Sequence, residues 1–284
     1  MSGQVEYCEL APGFSISRIV TGMWQVADME KDGKTLDPHK TSETMKPYLD
    51  AGLSTFDLAD HYGSAEEIAG AVVNNDRDLK LLTKWVPKPG PVTEKDVREA
   101  VERALKRMNR DTVDILQFHA WNYADPSWLD ALFYLNDLKK EGLVSHLGVT
   151  NFDTAHLRMV LYSDIEVISN QICFSLIDQR PLKGMTDLCE QKGVQLLAYG
   201  TLAGGFLSER WLNKQAPNKS ELKTWSLMKY KRFIDIAGGW DKFQQLLKVV
   251  KNVAIKNNVS ISNVASRFVL DQTTVGGIIV GARL

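Results

Sequence analysis

From about residue 16 onward, short runs of β-branched and apolar residues alternate with longer stretches whose apolar positions recur at helical spacing. The short runs are Ile16–Thr21, Ser54–Leu58, Leu79–Thr83, Val113–Phe118, Val144–Val149, Val167–Ser169, Val194–Ala198 and Val275–Val280, eight in all. The longer stretches carry start and stop signals. Thr93 is placed as an N-cap before Glu94-Lys95-Asp96, and Val97, Ala100, Val101, Ala104, Leu105 and Met108 then share one helical face. A second helix is expected from Pro126 to Lys140, with Leu129, Leu132, Phe133 and Leu138 inward and Gly142 just past its end. Residues 153–161 and 181–191 follow the same plan. Strands alternating with helices imply a parallel sheet covered by helices. Buried parallel strands read as near-continuous apolar runs, as Val113–Phe118 and Val275–Val280 do. Eight such units predict an α/β fold, a closed (β/α)8 TIM barrel. A dinucleotide-binding doubly wound sheet is disfavoured, because the first βα turn lacks GxGxxG and the glycines from Gly200 to Gly205 have another spacing.

Residues 1–284 are expected to form a single domain with two irregular stretches. Residues 1–15 precede the first barrel strand and predict a hairpin turning at Pro12-Gly13, able to plug the bottom of the barrel. Residues 203–239 are too long for a simple connection after the seventh strand. Loops after strand ends build the active site of a βα barrel, so this one is a candidate cofactor and substrate loop. Amphipathic segments follow at 240–257 and 262–271. The sequence runs out at Gly281-Ala282-Arg283-Leu284, directly after the eighth run. The final outer helix is therefore expected to be missing, with Val275, Ile278 and Val280 left in an exposed seam.

Composition narrows the functional classes. Hydrophobic residues make up 44% and charged residues 24%, as in an average globular protein. The 34 basic and 35 acidic residues leave a net charge of −1, and no Lys/Arg run marks a nucleic-acid partner. No stretch approaches a membrane span, and the first residues lack the pattern of a signal peptide. A cytoplasmic protein is the expectation, and a mature organellar one would look the same. The three cysteines, Cys8, Cys173 and Cys189, are scattered, with no zinc-ligand spacing, so no metal is expected.

The chemistry should lie at strand ends. The second run ends at Asp57 with Tyr62 in the loop beyond, the third leads to Lys84, and the fourth leads to His119. Tyrosine, with a pKa of about 10, is slow as an acid or base near neutrality. A nearby ammonium favours the phenolate, and a carboxylate keeps a buried ammonium charged. A histidine beside the tyrosine can orient a carbonyl oxygen. The set suits proton transfer rather than nucleophilic attack. Neither a Gly-x-Ser-x-Gly elbow nor a Cys–His pair is present. Trp24, Trp85 and Trp121 follow strand ends and are expected to wall the substrate site.

Phe56-Asp57-Leu58-Ala59-Asp60-His61-Tyr62-Gly63, Thr83-Lys84 and Phe118-His119 resemble the Asp/Tyr/Lys/His tetrad of aldo-keto reductases. Ala104-Leu105-Lys106-Arg107, Gly148-Val149-Thr150-Asn151-Phe152, Asn170-Gln171 and Ala198-Tyr199-Gly200-Thr201-Leu202 follow in the family's order, so the resemblance runs from about residue 10 to the end. It implies NAD(P)H-dependent interconversion of carbonyls and alcohols, with NADPH preferred over NADH. Tyr62 would be the general acid, Lys84 its tuner, Asp57 the partner of Lys84, and His119 the group that orients the carbonyl. The cofactor would meet Thr150, Asn151, Gln171, Tyr199, Gly200, Leu202, Gly281, Ala282 and Arg283. Asn151 and Gln171 would hold the nicotinamide carboxamide and Tyr199 would stack on its ring.

Three departures stand against the resemblance. Ala120 comes between His119 and Trp121, Gly200 lacks the hydroxyl of the family's usual serine, and the family's last helix, which grips the adenosine 2′-phosphate, is not seen in the sequence. The resemblance also leaves room for a nucleotide-sensing regulatory subunit on the same fold, and for a truncated protein with impaired cofactor binding. Neither the physiological substrate nor the oligomeric state follows from the sequence. The stretch from His119 through Trp121-Asn122-Tyr123-Ala124-Asp125-Pro126 resembles aldose dehydrogenases and adds sugars to the candidate substrates.

Overall fold

The computed structural model describes residues 4–72 and 78–282. Ten strands follow in order: β1 (Tyr7–Ala11), β2 (Phe14–Ser17), β3 (Ile19–Gly22), β4 (Thr55–Asp57), β5 (Lys80–Trp85), β6 (Val113–Phe118), β7 (Val144–Thr150), β8 (Ser169–Cys173), β9 (Gln195–Tyr199) and β10 (Val275–Gly281). The last eight are parallel and close into a barrel when β10 pairs with β3 as well as β9. The first two form an antiparallel hairpin turning at Pro12-Gly13, where Gly13 takes the left-handed φ of +75°. The run Ile16–Thr21 therefore divides between the hairpin's second strand and the first barrel strand. The strand expected around Val167–Ser169 begins instead at Ser169 and carries Asn170 and Gln171 within it.

Helices cover the outside of the barrel. The helix Glu94–Met108 starts with a reciprocal capping box between Thr93 and Asp96 and buries all six residues of the expected face. In the helix Ser127–Lys140 the buried stripe is Trp128, Ala131, Leu132, Leu135 and Leu138, a run of i, i+3, i+4 and i+7 steps. Phe133 lies off that stripe and is exposed, contrary to its expected inward place.

The 203–239 stretch is more ordered than expected. It holds three short 3-10 turns and the helix Trp225–Ile236, capped by the Thr224 side chain. This helix packs with Gly239–Lys256 and Ile261–Leu270 around Phe206, Leu207, Tyr230, Phe243 and Leu247, a second core apart from that of the barrel. The exposed seam expected at β10 is not found: Val275 and Ile278 are buried, and only Val280 of the three is part-exposed.

The barrel interior has two layers. Leu82, Ile115 and Leu197 point inward to meet Leu10, Phe14 and Ile16 of the hairpin, which closes that end. Two residues further along the same strands stand Lys84, Gln117 and Tyr199. Alternation places them on the same inward face, nearer the strand C-termini.

Candidate active site

Asp57 ends β4, and Lys84 lies one residue before the end of β5. Both are almost fully buried. The Lys84 ammonium donates to Asp57 Oδ1 and Oδ2, each at 2.7 Å, and to the Leu58 carbonyl at 2.7 Å. Three acceptor atoms on two residues thus surround the ammonium. Burial lowers the Lys84 pKa, and the Asp57 carboxylate opposes that shift. Gln171 Nε2 donates to Asp57 Oδ1 at 2.7 Å and to Gln117 Oε1 at 2.9 Å. A buried charge pair with its remaining lone pairs satisfied is the form in which such a pair is tolerated. Gln117 was not singled out in the sequence. Its signal was a second polar residue, after Asp114, inside the run leading to His119.

Tyr62 follows in the turn after β4. The Lys84 ammonium lies 4.7 Å from the centroid of its ring. Trp24 and His61 meet the same ring edge-on at 5.1 and 4.9 Å. Burial, helped by the charge of Asp57, pushes the Tyr62 phenol well above its ordinary pKa. Burial thus outweighs the lowering expected from Lys84.

His119 follows β6 and is held by its backbone N–H to the Trp85 carbonyl at 3.0 Å. Burial and then the Lys84 charge lower its pKa to about 4, which keeps the imidazole neutral near neutrality. Its Nε2 lies 3.4 Å from Asn151 Nδ2, and Asn151 Oδ1 accepts from the Tyr199 hydroxyl at 2.9 Å. Asn151 takes the left-handed φ of +59°, a conformation asparagine tolerates. Its backbone N–H donates to the Gln171 carbonyl at 2.8 Å. One chain of polar groups therefore joins His119, Asn151 and Tyr199.

The other expected residues divide. Thr150 ends β7 beside Gln171, with its Oγ1 buried and unpartnered among the described residues. Gly200 (φ +74°) and Leu202 follow β9, Gly281 ends β10, and the Ala282 N–H donates to the Gly22 carbonyl at 3.0 Å. Arg283 lies outside the described residues. Trp24 stands against Tyr62, and Trp121 is exposed with its ring 5.3 Å from that of His119. Trp85 does not wall the site. It is the strand neighbour of inward-facing Lys84, so it points the opposite way and packs on Phe118 under the helices.

Beyond Trp24 the site continues. Trp24 packs on Trp225 at 5.4 Å, and past that pair opens a cavity of about 550 Å³. Four cations line it, Lys31, Lys34, Arg210 and Lys223, together with Asp28 and Glu221. This void is therefore beside Asp57, Tyr62, Lys84 and His119 and not on them. Gln25, next to Trp24 in the chain, has its Oε1 buried without a partner among the described residues, and its amide would be struck by any side chain at Gly281. Trp225 and Gln25 carried no signal at the level of sequence.

Residues 18–284 match the sequence profile of the Aldo/keto reductase family, and the chain belongs to that family. It is 24% identical to the oxidoreductase YqkF of Bacillus subtilis over 260 residues, 87% of this chain and 79% of that one. It is 25% identical to the NADH-specific methylglyoxal reductase of Escherichia coli over 218 residues, 68% of this chain and 66% of the relative. Its fold is similar to that of the glycerol dehydrogenase AKR11B4 from Gluconobacter oxydans, with a TM-score of 0.79 and 23% identity over 97% of this chain and 86% of that one. Family membership supports redox chemistry between carbonyls and alcohols, with NAD(P)H as the general cofactor of aldo-keto reductases. Among the described residues no helix is long and apolar enough to cross a membrane.

Proposed function

We propose that this protein reduces a small aldehyde or ketone with NADPH, or runs the reverse oxidation, using Tyr62 as the proton donor. The observation that carries the reading is the buried Asp57–Lys84 pair beneath the Tyr62 ring, with a neutral His119 on the same rim. The residues present fit a dinucleotide. Four cations line a cavity next to the rim, and Thr150 Oγ1 and Gln25 Oε1 are polar atoms still in need of partners. When bound, the nicotinamide would supply the hydride that the carbonyl carbon receives.

The chain's own groups account for the proton. A phenol held above its ordinary pKa stays protonated at neutral pH and donates O–H to the carbonyl oxygen as that oxygen gains charge. A neutral His119 can donate a ring N–H to the same oxygen without adding a cation. The Lys84 charge on the ring face then favours the phenolate left behind, which solvent reprotonates. Asn151 and Tyr199 form the wall for the nicotinamide. Gln171, whose amide protons go to Asp57 and Gln117, has its carbonyl oxygen to offer a carboxamide.

Turnover of a panel of aldehydes, ketones and aldoses, followed at the nicotinamide absorbance with NADPH and NADH in parallel, is the direct test. The preference for NADPH rests on the cations of the cavity; a relative named as NADH-specific makes the second nucleotide a necessary arm. Replacing Tyr62 by Phe should lower kcat at least ~100-fold on any active substrate, the scale of general acid catalysis, with nucleotide affinity nearly unchanged. Near-normal turnover by Tyr62→Phe would remove Tyr62 from the mechanism.

A further inference from the structure

The short helix Trp24–Met29 meets the turn that carries Tyr62 at both of its ends. At its start Trp24 stands edge-on to the Tyr62 ring at 5.1 Å. At its finish stands the C-cap Glu30, whose backbone N–H donates to the Val26 carbonyl at 2.9 Å. From there the Glu30 side chain crosses to the residues just past Tyr62. Its Oε2 accepts the Ser64 N–H at 2.8 Å. Its Oε1 accepts the Ser64 hydroxyl and also the Leu36 N–H, the latter at 3.0 Å. One carboxylate thus takes three hydrogen bonds, from loops that follow two different barrel strands.

The local sequence is arranged around this contact. A Cβ at Gly63 would stand 2.0 Å from Glu30 Oε2, closer than any side chain could be placed. Gly63 also takes the left-handed φ of +56°, so one glycine admits the carboxylate and turns the chain. Ser64 occupies the N-cap position of the helix Ala65–Gly70, where a serine side chain ordinarily caps the backbone. Here it makes no capping bond and gives its hydroxyl to Glu30 instead.

The turn's own bonds are local. The Tyr62 N–H donates to the Ala59 carbonyl at 3.0 Å, and the Ala65 N–H donates to the Tyr62 carbonyl at 3.1 Å. Such bonds shape a turn without fixing its distance from the neighbouring loop. Glu30 supplies that fix, because it refers the turn to the same helix whose first residue packs on the Tyr62 ring.

We propose that Glu30 is a positioning residue for proton transfer, setting through Gly63 and Ser64 where the Tyr62 hydroxyl stands on the rim. A reacting group displaced by about 1 Å can lose about 100-fold in rate, so a contact two residues from the tyrosine is close enough to matter. This rests on the reading of Tyr62 as the proton donor.

The test is steady-state kinetics of the intact protein with NADPH and the best aldehyde of the panel, alongside melting temperature. Glu30→Gln keeps the length of the side chain but only one acceptor oxygen. It should lower kcat about tenfold while KM and the Kd of NADPH stay near wild type. Ser64→Ala keeps the backbone bond to Glu30 and should give a smaller fall in the same direction. In a Tyr62→Phe background, assayed at high enzyme concentration, Glu30→Gln should lower the residual rate no further, because the hydroxyl it positions is gone. Wild-type kcat in Glu30→Gln, or an equal fall in both backgrounds, would overturn the proposal and leave Tyr62 as proton donor. A lowered melting temperature with kcat per folded molecule intact would also overturn it, since that is the mark of a purely structural strut. Near-normal turnover by Tyr62→Phe would instead overturn the functional reading, and this proposal with it.

Discussion

Leu82 and Lys84 stand two residues apart on one strand, as do Ile115 and Gln117, and Leu197 and Tyr199, yet each pair divides between two environments. The first member packs against the hairpin in an apolar layer that has only packing to offer. Lys84 and Gln117 enter a buried polar network around Asp57, and Tyr199 joins the chain through Asn151 to His119. The same strands thus serve stability at one end and chemistry at the other. The polar end is tolerated because its charges are paired and the apolar end holds the strands in register.

Three changes would break that comparison. Asp57→Asn should have the largest effect, since it strands the Lys84 ammonium in the interior. A cost of about 3–5 kcal/mol in unfolding free energy is expected, together with loss of turnover. Denaturant titration and kcat would read the two, and an unchanged midpoint would show that the pair is not buried in solution. Ile115→Ala, one layer lower, should cost about 2–5 kcal/mol by leaving a cavity under the polar network. Its folded fraction should keep kcat close to wild type. A large fall in kcat there would mean that the layers are not separable.

The smallest effect is one of pH. In the unfolded chain His119 takes up a proton near 6.5, whereas the folded protein resists protonation down to about 4. The unfolded state therefore binds more protons in that window, so this residue's contribution makes stability fall as pH drops from about 6.5 toward 4 and stay level above it. His119→Asn should reduce the slope of melting temperature against pH over that range. Identical slopes in the two proteins would show that His119 is not desolvated.

The barrel was legible where its strands are apolar and its helices one-sided, as in Val113–Phe118 and Glu94–Met108. It was hardest to read where function replaced the pattern. The strand Ser169–Cys173 turns Ser169 and Gln171 inward, so no hydrophobic run announces it. The helix Trp225–Ile236 carries Lys229, Lys231 and Arg232 among its apolar residues, which hid it within a stretch read as loop. Asp57, Tyr62, Lys84 and His119 stood out because each lies at or just beyond a strand's C-terminal end. What they do to one another's protonation was not legible, because burial, the largest cause of each shift, is set by packing that the sequence pattern does not show. Trp85 was misplaced for a related reason, since adjacent strand residues face opposite ways.

The hairpin gives the barrel a single mouth. Leu10, Phe14 and Ile16 pack on the apolar layer and close that end of the barrel away from the polar layer. With Tyr62 as the proposed proton donor, each proton it gives up would be returned across the rim, past Trp24 and His61, the rings packed against it. On that proposal, solvent exchange at the Tyr62 phenol would be tied to whatever occupies the rim, and a site filled with ligand would also be cut off from its proton supply.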